Sequence, residues 1–109
     1  MQFATINGHR LRYRIEGDGP LVVFGHGLMG SIEQVEEQGG AALRELATRL
    51  QFLLYDARGH GQSEGPADAS AYTWETLGQD MAAFAEHAGQ PRAVFGGGSM
   101  GAAMSLWVA

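Results

Sequence analysis

A chain of 109 residues has room for one domain and no more. Seven Lys and Arg against 12 Asp and Glu leave a net charge of -5, which argues against a nucleic-acid binder, since that function wants a basic face. With 45% hydrophobic and 17% charged residues the composition is core-forming, and zero cysteines exclude a disulfide framework, a thiolate metal site and a cysteine nucleophile.

Met1 to Gly8 shows no basic stretch leading into an apolar one, so no signal peptide is readable. Phe3 to Ile6 reads as a short strand, and Asn7-Gly8 is a strong hairpin signal. His9 to Ile15 alternates, with Leu11, Tyr13 and Ile15 on one face and Arg10, Arg12 and Arg14 on the other, as in an antiparallel strand near a sheet edge. Gly17-Asp18-Gly19-Pro20 is a turn. Leu21 to Phe24 is a continuous run of β-formers, expected of a strand buried on both faces. It is also the longest strongly apolar run, far short of the roughly 20 residues of a membrane-spanning helix, so no membrane partner is expected and the cytoplasm is the default location.

Gly25 to Gly30 is a glycine-punctuated loop. Ser31 caps the following helical turn with Gln34 at the capping-box position, and Gly39-Gly40 is expected to interrupt it. Ala42, Leu43, Leu46, Ala47 and Leu50 follow at helical spacing, with Glu45 and Arg49 placed as an i,i+4 pair. Phe52 to Tyr55 is a second buried-type strand, ending in Asp56 and a polar, glycine-rich loop. Thr73 caps a helix with Leu77, Met81, Phe84 and Ala88 on one stripe, Gly89 stops it, and Pro91 follows. Ala93 to Phe95 is a third buried-type strand, and Ala102 to Ala109 is apolar and helix-like. A hairpin followed by three strand-helix units predicts an α/β fold, a mostly parallel sheet with helices on both faces.

The 17 glycines are roughly twice average usage, and they gather at the ends of the three buried-type strands. Ligands bind at the C-terminal strand ends of open α/β sheets, although tight strand-to-helix turns also call for glycine. Gly97-Gly98-Ser99-Met100-Gly101 fits G-x-S-x-G between a strand and a helix. That context holds a hydroxyl out on a sharp turn at a helix N-terminus, where developing negative charge is favoured. Ser99 is therefore a candidate nucleophile, with a helix-capping serine as the competing assignment. Acyl transfer needs two amide donors facing the oxyanion, and Met100 with Leu28 of the first loop would supply them. His26 is expected to hold that loop by hydrogen bonds rather than to move protons. Asp56-Ala57-Arg58-Gly59-His60-Gly61-Gln62-Ser63 reads as a fixed, internally bonded turn. No compact ligand spacing joins His26, Asp56 and His60, so no metal is expected.

A rival pattern is present. Gly25-x-Gly27-x-x-Gly30 matches the dinucleotide-binding fingerprint, with Asp56 as the ribose-binding acid. Asp56 lies 26 residues past Gly30, beyond the usual interval of about 20, and Gly39-Gly40 would break the helix that must start at the loop. Gly96-x-Gly98-x-x-Gly101 also matches, without a following acid.

The three loops together resemble the α/β-hydrolase superfamily. Gly25-His26-Gly27 is similar to its oxyanion loop, Asp56 to Ser63 to its D-x-R-G-H-G-x-S turn (Asp56, Arg58, Gly59, His60, Gly61, Ser63), and Gly97, Gly98, Ser99 and Gly101 to its nucleophile elbow. The resemblance spans essentially the whole chain. It implies strands β1 to β5 of an eight-stranded fold with helices A, B and the start of C, so that residues 1–109 form the N-terminal portion of one hydrolase domain. It also implies a serine esterase or lactonase acting on a small-molecule ester or lactone without a cofactor. The enol-lactonase and small-ester hydrolase group is the nearest resemblance.

Members place the triad in the order Ser, acid, His. The ten residues after Ser99 include no Asp, Glu or His, so the chain is expected to lack its base and to be inactive alone. A non-catalytic remnant or interaction module is the alternative. Self-association through an exposed sheet edge is also expected.

Overall fold

The computed structural model describes residues 2–90 and 92–109. Met1 and the expected helix-following Pro91 lie outside the described residues. β1 (Gln2–Ile6) and β2 (His9–Gly17) form a hairpin whose turn puts Asn7 at φ 48° and Gly8 at φ 88°. Both central residues are left-handed, as a two-residue primed turn requires. β3 (Leu21–Gly25), β4 (Gln51–Tyr55) and β5 (Val94–Gly97) complete the sheet, with α1 (Ile32–Leu46), α2 (Trp74–His87) and α3 (Met100–Val108) between and after them. A short 3₁₀ turn at Ala69–Ala71, which the sequence pattern does not announce, precedes α2.

The strand order is β1-β2-β4-β3-β5. β3, β4 and β5 run parallel, whereas β1–β2 and β2–β4 are antiparallel, so the sheet is mixed and the hairpin supplies its antiparallel part. From β3 the chain steps to β4 on one side, then returns to place β5 on the other. This reversal opens a crevice between the C-terminal ends of β3 and β5, where open α/β sheets bind ligands.

The main core lies on one face. Leu11, Leu21, Val23, Leu53 and Tyr55 of the sheet meet Leu77, Met81 and Phe84 of α2 and Met104 of α3. α2 starts with a capping box between Thr73 and Thr76, and Gly89 follows it at φ 76°.

The opposite face is covered by α1, largely through charge. Arg12 pairs with Glu33, and Arg14 with Glu36. The arginine face of β2 is thus a docking surface, with Arg12 only 3% exposed. Gly39 (φ -144°, ψ 16°) leaves the helical conformation and interrupts α1 with a kink, as the Gly39-Gly40 pair predicts. Two expectations for this region change. The helix ends at Leu46, which leaves Leu50 beyond its stripe. Arg49 also falls past the helix, and no ion pair joins it to Glu45 among the described residues. The third strand, expected to be of the buried type, is instead β5 at one edge of the sheet, with Val94 61% exposed. No helix is long and apolar enough to cross a membrane among the described residues.

Candidate active site

Ser99 connects β5 to α3 at φ 53°, ψ -111°. A non-glycine residue in that region costs about 1–3 kcal/mol and persists only where its surroundings enforce it. They do so here through three glycines. A side chain on Gly97 would meet the Gly25 oxygen at 2.5 Å and the Gly101 carbonyl carbon at 2.6 Å. One on Gly101 would meet the backbone of Gly25, and one on Gly25 would lie 3.0 Å from the Gly101 Cα. Without side chains, α3 seats its first turn directly on β3 and the link between β5 and α3 bends sharply. Gly98 has no heavy atom near its missing side chain and is not required in this way.

Ser99 is exposed and makes no side-chain capping bond. The hydroxyl therefore does not serve the helix. The Gly25-Gly30 loop lies alongside it: a methyl on Gly27 would sit 3.6 Å from the Ser99 Cβ. Among the described residues neither the Met100 nor the Leu28 amide donates a hydrogen bond. Gly30 N–H donates to the Gly27 oxygen at 2.9 Å, closing a turn in which Met29 takes φ 65°. Leu28 and Met29 are 67% and 87% exposed at the lip of the crevice.

His26 is buried, with both ring nitrogens engaged. Nδ1 lies 2.7 Å from the Gly27 oxygen, and Nε2 accepts from the Ala57 amide at 3.0 Å. Burial, followed by the neighbouring His60, lowers its pKa, while the Gly27 carbonyl and Asp56 act the other way. No hydrogen bond joins Ser99 to His9, His26, His60 or His87 among the described residues.

The Asp56-Ser63 turn is held from within, as expected, and also from β2, α1 and α2. Asp56 has no exposed surface. One carboxylate oxygen accepts from Ile32 N–H at 2.8 Å and Arg12 Nη2 at 3.3 Å, the other from Arg12 Nε at 2.8 Å and Gln62 N–H at 2.9 Å. A carboxylate so occupied has nothing left for a ribose, which removes the physical basis of the dinucleotide assignment. Gly61 (φ 51°) passes against this carboxylate, and Gly59 (φ 72°) against the Tyr72 hydroxyl. Ser63 Oγ donates to the Asp56 backbone carbonyl at 2.6 Å and accepts from the Arg12 backbone N–H at 2.8 Å. His60 Nδ1 lies 3.0 Å from the Arg58 oxygen.

Arg58 forks onto Asp80 at 2.7 and 2.9 Å, and Asn7 Nδ2 donates to the same carboxylate at 3.0 Å. The Asp80 carboxylate and burial oppose each other at Arg58; the carboxylate prevails and raises its pKa. Sequence reasoning missed Asp80 and the ion-pairing role of Arg12. Asp80 had a legible signal, since it sits three residues after Leu77 and four before Phe84 on the apolar stripe of α2. A carboxylate there must find a buried cation.

The sequence profile of the alpha/beta hydrolase fold matches residues 20–109. This chain belongs to the alpha/beta hydrolase fold family. It is similar to the mouse sn-1-specific diacylglycerol lipase, 33% identical over 97 residues, which cover 87% of this chain and 30% of the lipase. The enol-lactonase of Burkholderia xenovorans LB400 superposes with a TM-score of 0.78 at 35% identity, covering 92% of this chain and 38% of the lactonase. An epoxide hydrolase of Vigna radiata superposes at 0.81 with 27% identity, covering 98% of this chain and 33% of that one. The chain spans about a quarter to a third of the length of the curated family relatives it matches.

Proposed function

We propose that this chain is the nucleophile-bearing N-terminal portion of a serine hydrolase that opens a carboxylic ester or lactone through an acyl-enzyme. Ser99 Oγ attacks the carbonyl carbon, and the carbonyl oxygen becomes an oxyanion between the Leu28 and Met100 amides. The alcohol leaves, and water then releases the acid. A base outside this chain takes the serine proton and passes it to the leaving oxygen. The observation that carries the reading is the backbone of Ser99: a strained, exposed serine at a helix N-terminus, free of capping duty, with Gly27 of the first loop against it. A serine at position 99 and an oxyanion pair suit a carbonyl substrate, and the lactonase and lipase likenesses lie in the same chemical class.

The lack of any Ser99–histidine bond favours a second reading, a non-catalytic interaction module, wherever the chain acts alone. A fluorophosphonate probe separates the two. The expected result is a covalent adduct on Ser99 in the protein encoded by the whole reading frame, lost in Ser99→Ala, with at most slow labelling of the 109-residue chain. An unlabelled whole protein, or equal labelling of Ser99→Ala, overturns the catalytic reading.

A further inference from the structure

We propose that His26 is a positioning residue: its neutral form, protonated on Nδ1, fixes the peptide unit that carries the Leu28 amide, and a second proton releases that unit from the turn that follows β4. The partners of the ring dictate the tautomer. Nδ1 faces a carbonyl oxygen, which can only accept, so Nδ1 carries the proton. Nε2 faces the Ala57 N–H, which can only donate, so Nε2 is bare.

The Gly27 carbonyl and the Leu28 N–H belong to one planar peptide, and in a trans peptide they point to opposite sides. Holding the carbonyl therefore aims the amide. Two donors hold it, His26 Nδ1–H and Gly30 N–H. The first is anchored in turn to Ala57, beside the buried Asp56, so the loop is referenced to the most heavily bonded point of the sheet edge. Leu28 inherits that reference although its own side chain is exposed.

A proton on Nε2 would face the Ala57 N–H donor to donor. The titratable and charged groups around the ring offer little relief. The Asp56 carboxylate attracts a cation, but its oxygens already serve Arg12, Ile32 and Gln62, and Arg12 balances its charge. The His60 ring lies 5.1 Å away, centroid to centroid, and acts against a charge on His26. The ring must move to gain the proton, and it takes the Nδ1 donor away from the Gly27 oxygen. The lowered pKa agrees, burial being its main cause. The link is a property of this chain; its meaning for catalysis rests on the serine-hydrolase reading.

The test is a titration of the uniformly 15N-labelled 109-residue chain by 1H–15N NMR, with long-range spectra for the histidine rings, from about pH 8 to pH 5, with amide exchange followed in parallel. At the upper end His26 should show a protonated Nδ1 and a bare Nε2, and it should take up its second proton below the ordinary histidine range. When it gains its second proton, the Leu28 and Ala57 amide signals should shift together. Ala57 exchange, taken relative to its intrinsic rate at each pH, should then rise by roughly fivefold to tenfold, the worth of one buried hydrogen bond. An Nε2-protonated tautomer, or a second proton on His26 with both amides unmoved, overturns the proposal. No turnover enters these signals, so a failed probe reaction at Ser99 and a failed His26 link are read separately.

Discussion

The elbow makes a sharp demand on Gly101 and none on Gly98, although both flank Ser99. In Gly101→Ala the new Cβ would lie 2.5 Å from the Gly25 carbonyl carbon and 2.9 Å from its Cα. Ordinary carbon contacts are about 3.5–4.0 Å. Both obstacles are backbone of a strand paired on both sides, so no side chain can swing away. α3 must back off by about 1 Å, loosening Met104, which is fully buried between α3 and the sheet. Overpacking of this kind costs about 1–3 kcal/mol, and a backbone obstacle belongs in the upper half of that range. Alanine returns up to about 1 kcal/mol of helix propensity at this position. The net loss is about 1–2 kcal/mol. Gly98→Ala meets nothing within 4 Å and should stay within about 0.5 kcal/mol of the parent. Urea unfolding followed by Trp107 fluorescence reads the difference. The Gly101→Ala midpoint should fall by about 1 M at unchanged slope, with Gly98→Ala near the parent. Equal midpoints, or a larger loss in Gly98→Ala, would refute the packing argument.

The two acids on Arg12 should differ widely in worth. Asp56→Asn should cost about 3–5 kcal/mol in the same unfolding assay, because it breaks a buried pair. Glu33→Gln should cost less than about 1 kcal/mol, since Glu33 is 53% exposed and its lowered pKa, due mainly to the Arg12 hydrogen bond, is screened by solvent. Asp80→Asn should destabilise by about 3 kcal/mol and raise amide exchange at Asn7 and Gly8, because Asp80 holds both Arg58 and Asn7; a change confined to α2 would contradict that link. The outer strand predicts self-association, with Val94 exposed and unpaired on one side, so sedimentation should show species heavier than a monomer and Val94→Lys should reduce them. A parent chain that stays monomeric at high concentration would defeat this expectation.

The strands and α2 were legible because each is a local pattern. Asn7-Gly8 admits one tight turn, Leu21 to Phe24 and Phe52 to Tyr55 are runs of β-formers, and Thr73 and Gly89 bracket a regular stripe. The limits of α1 were less legible. Gly39 breaks the helical path as its propensity predicts, but a helical segment resumes after it and ends at Leu46, short of Arg49 and Leu50. Arg12 read as an exposed face because alternation assigns sides without saying what covers them. Its partner Asp56 lies 44 residues away in sequence, and no local window holds both. The same limit applies to Arg58 and Asp80, 22 residues apart.

These long-range pairs explain why a loop-built site can be rigid. Loops carry function but hold themselves poorly, since few of their backbone groups are paired. Here the first loop is bonded through His26 to Ala57. Asp56, its chain neighbour, is bonded to Arg12 of β2 and to the start of α1, while Arg58 on the other side is bonded to α2 and, through Asp80, to the hairpin turn. Every element that could let the loop drift is thus tied to one turn. Burying Arg12, Asp56, Arg58 and Asp80 adds little net stability, because desolvation offsets most of their attraction. An apolar replacement would fill the same space but could not set direction. The charges tie β2, α1 and α2 to the turn, and through His26 the turn holds the loop whose Gly27 lies against Ser99.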